Sequence, residues 1–226
     1  MPMRFVFNLI TTLGVARIVF NRMAVSLRDP IKAKIDDRVS FIKYLLQEYP
    51  SLLDKWEKDT QKKMETYADE CADGDEDIRL SVLSNFRNAF DENENRKDMF
   101  YQAILVMAFS YYESAVTLLS QHANSKEHIK AICASKNITL SAETQKHIDY
   151  LQEDINVLRN NIAHNNLGTY RKVDTLNKLA EKWNGVHFSD DTITLTDSAI
   201  IEDALEKMHH VLSELCDKLG YRNRLV

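Results

Sequence analysis

The chain has 226 residues, 44% of them hydrophobic and 28% charged, ordinary values for one soluble domain with room for its own core. Only five glycines and three prolines punctuate it, so long helices joined by polar loops are expected. A formal net charge of −5 excludes a general nucleic-acid coat, whose affinity rests on summed lysines and arginines, but leaves room for a small local RNA site.

Residues 1–29 stand apart. Arg4 followed by the apolar run 5–16 resembles a weak signal peptide, yet Asn8, Thr11 and Thr12 dilute the run and Arg17 interrupts it. The run is too short and too polar for a membrane span. A start of translation at Met23 is the alternative. The expectation is a cytoplasmic protein with no membrane association, whose domain covers 30–226. Cys71, Cys133 and Cys216 are far apart and odd in number, and so read as reduced thiols.

Asp29-Pro30 opens a predicted helix over 31–49, with Ile35, Val39, Ile42, Leu45 and Leu46 at helical spacing and Pro50 as its stop. A mostly charged helix over 51–68 carries only a thin apolar edge of Leu52, Leu53, Trp56 and Met64. The acidic block 69–77 reads as a loop. It starts like a calcium-binding loop, but Cys71 at the third position and Leu80 at the twelfth supply no ligands. A short helix over 78–90 and a polar loop over 91–98 follow.

The segment 99–121 is apolar on all sides, as in a helix at the centre of a bundle. Within it Glu113 is a lone carboxylate, which needs a partner if it is buried; the alternative is a carboxylate that snorkels to the end of the bundle. Phe109, Tyr111 and Tyr112 beside it read as core. After a polar connection, 141–165 shows Ile148, Leu151, Ile155, Leu158 and Ile162 stepping by three and four, with Leu167-Gly168 as the stop. A helix through Trp183, a small β-hairpin over 186–196 and a closing helix over 198–219 complete the chain. His209 and His210 project about 100° apart and cannot chelate one ion together. No metal cage and no cofactor fingerprint is recognised.

The end of the 141–165 helix reads Arg159-Asn160-Asn161-Ile162-Ala163-His164. Asn160 and His164 point away from the apolar stripe, and Arg159 lies nearer its edge. Histidine can move a proton near neutral pH, and guanidinium can clamp a phosphorane through forked hydrogen bonds. This Arg-Asn-x-x-Ala-His pattern, with Glu113 upstream, resembles the signature of the HEPN superfamily.

The resemblance implies an all-α HEPN-like bundle with a small β-hairpin before the last helix. It further implies a homodimer whose motif helices face one another across a composite cleft. The activity implied is a metal-independent endoribonuclease of a toxin–antitoxin or phage-defence system, with RNA as substrate and an antitoxin or defence-system protein as partner. His164 would be the general acid or base, Arg159 the clamp and Asn160 a positioning group, with Glu113 paired to Arg159. The alternative is a non-catalytic HEPN module that binds RNA, a nucleotide or a partner protein.

Overall fold

The computed structural model describes residues 29–125, 127–164, 172–189 and 192–221, the side chains of 87–91 excepted. The N-terminal run, the stop at Leu167-Gly168 and the hairpin turn at 190–191 lie outside these residues. The fold is all-α with one two-stranded hairpin before the last helix.

Helix α1 spans Pro30–Ala72, entered through Asp29, whose carboxylate accepts from the Ile31 N–H at 2.9 Å and the Lys32 N–H at 3.3 Å. It does not stop at Pro50, nor give way to a loop at Asp69. Proline removes one backbone donor and crowds the preceding turn. The Ser51 hydroxyl donates to the Gln47 carbonyl at 2.8 Å in that turn, while buried Leu46 and the stacking of Tyr49 on Phe100 hold the turn before the proline in place. Asp73 and Gly74, both at positive φ, make the turn into α2, Glu76–Asn85.

Helix α3 spans Arg87–His122, so the expected loop over 91–98 is its first turns. Lys97 and Asn93 anchor these turns on α1. Lys97 reaches Asp54 at 2.9 Å and Glu57 at 3.7 Å, and the Asn93 amide donates to Glu57 at 2.8 Å. Hydrogen-bonded to Asp54, the Lys97 ammonium holds its proton more tightly than a free lysine, against the effect of burial. The stretch Glu92–His122 is long and apolar enough to cross a bilayer by length and composition, but half of its apolar window is buried in the bundle, as in a core helix.

Helix α4, Ile129–Lys136, lies where a polar connection was expected. The motif rod is α5 (Ala142–Tyr150), one π-helical turn (Leu151–Ile155) and α6 (Asn156–His164). Helix α7, Val173–Lys182, leads to strands β1 (Val186–Ser189) and β2 (Thr192–Leu195), paired antiparallel from Val186↔Leu195 to Ser189↔Thr192. The outer edge of β2 is closed by α3: Gln102 donates to the Ile193 carbonyl at 2.9 Å and Asp98 accepts from the Leu195 N–H at 2.6 Å. Helix α8, Ala199–Leu219, ends at Gly220 in the left-handed conformation with φ 87°.

The core lies where α3, the motif rod and α8 meet, with Leu105, Leu119, Leu151, Ile155, Leu158, Ile201 and Leu212 fully buried. The far half of α1, α2 and the start of α3 form an arm, in which only Met64, Ala68, Ala72 and Asn93 are buried among the described side chains.

Candidate functional site

Helix α6 carries the motif, and α3 supplies its opposite wall. The Arg159 Nη2 donates to Glu113 Oε2 at 2.6 Å, and Nη1 donates to Asn160 Oδ1 at 2.7 Å. The guanidinium carbon sits 5.3 Å from the Phe109 ring centroid, a cation–π contact on a buried aromatic. The Asn160 amide donates onward to Asn156 Oδ1 at 3.0 Å. Glu113, Arg159, Asn160 and Asn156 thus form one chain of hydrogen bonds across the α3–α6 seam.

The sequence expected a buried Glu113, with an exposed carboxylate as the alternative, and the structure gives the exposed one. Its side chain is 51% exposed while that of Arg159 is 18% exposed. The carboxylate stands on the rim of α3, and the arginine stem fills the seam behind it, its Nε sequestered without a partner. The pair is therefore a half-screened one, and its contribution to stability is correspondingly small.

His164 is exposed on the last described turn of α6, and among the described residues nothing holds its ring. It is not drawn into the Arg159–Glu113–Asn160 chain. Five residues apart on a helix, the two side chains leave the axis about 140° apart. One copy of the chain presents the guanidinium and the imidazole on different faces.

Two features escaped the sequence. The π-helical turn sits one turn before the motif, and such turns occur often at functional sites. Beyond it the buried residues are Val157, Leu158 and Asn161, with Ile162 only half-buried. Asn161 donates to the Val157 carbonyl at 2.8 Å, an amide where the apolar period called for aliphatic packing. Asn156 was legible in principle, because it precedes Asn160 by four residues and must share its face.

Matched against protein-family models, curated proteins and solved structures, the chain finds no counterpart. The site is therefore argued from its own groups.

Behind α5, Tyr150 packs under the ammonium groups of Lys182, 4.7 Å from its ring centroid, and Lys207, at 5.2 Å. Burial, with Asp203 alongside, pushes its phenol well above the usual range. This packing fixes the rod on α7 and α8, while Val157, Leu158 and Asn161 seat α6 in the core. What the arrangement offers chemically is a guanidinium pre-oriented by a carboxylate and an amide, and an exposed imidazole within one helical turn and a half.

Proposed function

We propose that this chain is a metal-independent endoribonuclease of HEPN type, acting as a homodimer in the cytoplasm in a toxin–antitoxin or phage-defence setting. The observation that carries the reading is Arg159, held at 2.6 Å by Glu113 and at 2.7 Å by Asn160 on the helix that ends in an exposed His164. A clamp for a phosphorane must be aimed before substrate arrives, and a carboxylate and an amide on one guanidinium aim it. His164 exchanges protons with the ribose 2′-OH or the leaving 5′-oxygen. The divergence of His164 from Arg159 supports a second copy as the other wall of the cleft.

The test is cleavage of total RNA by the purified chain in EDTA, with end-group analysis. Products ending in 2′,3′-cyclic phosphate are expected. His164→Ala should lose roughly 10²–10⁴-fold in rate. Arg159→Lys should also be poor, since an ammonium keeps the charge but not the planar fork. Cutting that needs added divalent metal and survives His164→Ala overturns the reading.

A second reading, a non-catalytic module that binds RNA, a nucleotide or an antitoxin-like partner protein, is favoured by one specific observation. Both terminal nitrogens of Arg159 are already engaged within the chain. RNA that binds wild type and His164→Ala alike, without cleavage, selects that reading.

A further inference from the structure

A guanidinium donates hydrogen bonds and accepts none, and that one-way character sets the polarity of whatever is bonded to Arg159. Asn160 must offer it an oxygen, and does so at 2.7 Å. The amide nitrogen of Asn160 then points the other way and needs an acceptor, which Asn156 Oδ1 supplies at 3.0 Å. Turning the Asn160 amide over would set donor against donor at Nη1 and acceptor against acceptor at Asn156. The run therefore has one orientation, and Asn156 ends it.

Each terminal nitrogen of Arg159 carries two hydrogens and spends one within the chain, Nη2 on Glu113 and Nη1 on Asn160. The second hydrogen of each is left to fork onto a phosphate, so whatever holds the first pair aims the fork. Glu113 holds one nitrogen from α3, and a planar group held at one nitrogen can swing about it. Asn160 is the second point that stops the swing. Half-buried itself, its amide can turn about its own side-chain bonds unless its other end is held.

The backbone puts Asn156 where it can do so. Its N–H bonds back five residues to the Leu151 carbonyl, closing the π-helical turn. Such a turn takes in one residue more than an α turn and so re-aims the helix that follows. Leu151 and Ile155 seat the turn in the core, and Leu158 does the same one turn on, all three fully buried. Asn156 and Asn160 then emerge four apart on one face, beside Arg159. Among the described residues the Asn156 side chain has no other hydrogen bond, so packing alone gives no reason for an amide there.

We propose that Asn156 is a positioning residue for the Arg159 clamp: it locks the Asn160 amide and, through it, the plane of the guanidinium. The inference deepens the ribonuclease reading above and rests on it for its effect on cleavage.

The experiment compares Asn156→Leu, which keeps the branched shape without the acceptor, with Asn156→Asp, which offers an oxygen in either orientation. Nitrogen-15 NMR of the full chain, with the Arg159 signals assigned by their loss in Arg159→Lys, follows rotation of the guanidinium without any RNA. Cleavage of a single-stranded RNA oligonucleotide in EDTA gives kcat and KM separately. In Asn156→Leu the terminal-nitrogen signals resolved in wild type should merge, and kcat should fall roughly tenfold with KM within about twofold. Asn156→Asp should restore the resolved signals and kcat, with the cost of its added charge falling on KM. Melting curves should match wild type; where Asn156→Leu melts lower, Asn156→Ala takes its place. Guanidinium signals that do not move in Asn156→Leu overturn the role, as does an unchanged kcat in a chain that cleaves, or a loss that Asn156→Asp leaves in place. A wild type that cuts no RNA overturns the ribonuclease reading alone, and the guanidinium signals then decide the role of Asn156 by themselves.

Discussion

At Arg159 one guanidinium meets a carboxylate, an amide and an aromatic face, and the three differ in strength. The carboxylate of Glu113 is half-exposed, so water screens the pair. Glu113→Gln is therefore expected to lower stability by no more than about 1 kcal/mol in urea unfolding, because an amide oxygen can still accept from Nη2. A fully buried pair would lose about 3–5 kcal/mol on removal of one member, and a loss of that size would contradict the half-exposed placement.

Arg159, Asn160, His164 and Glu113 could all be picked from the sequence, because unusual polar groups on or beside an apolar period stand out. Their mutual placement was only partly legible. Residue spacing brings Arg159 near α3, but the depth of Glu113 depends on how two helices cross. Asn161 was missed because an amide inside a core stripe looks like surface until the Val157 carbonyl one turn back is seen to receive it.

Among the elements, the start of the motif rod is tied to the closing helix by a single carboxylate. Glu214 on α8 accepts from the Ser141 N–H and the Ser141 hydroxyl, each at 2.8 Å, and from the Thr144 hydroxyl. Burial works to raise this carboxyl's pKa, and the Thr144 and Ser141 hydrogen bonds outweigh it, so it lies below the ordinary glutamate value. A carboxyl with a depressed folded pKa stabilises fully above its unfolded value of about 4.5, and the contribution fades as pH falls through the folded value. Glu214→Gln should cost about 1–3 kcal/mol at neutral pH and flatten the acid limb of the stability curve below about pH 4.5. An unchanged acid limb in thermal melts from pH 3 to 7 (roughly the carboxylate range) would show that the tie is inert.

The elements also show where sequence signals mislead. Proline and runs of Asp, Asn and Glu are local breakers, and at Pro50 and over 91–98 both were overruled by contacts between α1 and α3. Lys97 finding Asp54 is a relation across 43 positions, and no local pattern records it. The hairpin and the closing helix were legible, because their periods agree with their packing.

For the molecule as a whole, the body and the arm are built on different terms. In the body, α8 alone buries nine residues, including Ile200, Leu205 and Leu215. In the arm, α2 buries none. The arm leans on Lys97, Asn93, and Arg79, whose side chain reaches Asp69 at 2.7 Å, while α1 runs through both parts as one helix. Salt weakens the ion pairs of the arm and leaves the apolar packing of the body nearly untouched.

The uninterrupted passage of α1 through Pro50 means that one helix has two thermodynamic fates. Its turns from Ile35 to Leu46 are seated in the core through Ile35, Val39, Ile42 and Leu46, whereas beyond Trp56 only Met64, Ala68 and Ala72 are buried, so the amides of the two stretches form two sets. In native-state hydrogen–deuterium exchange the first set should open only with global unfolding, and the second through fraying of the arm at far lower free energy. Raising the salt should speed the second set and leave the first in place. Uniform protection along α1 would mean instead that the proline transmits stability from the body to the tip.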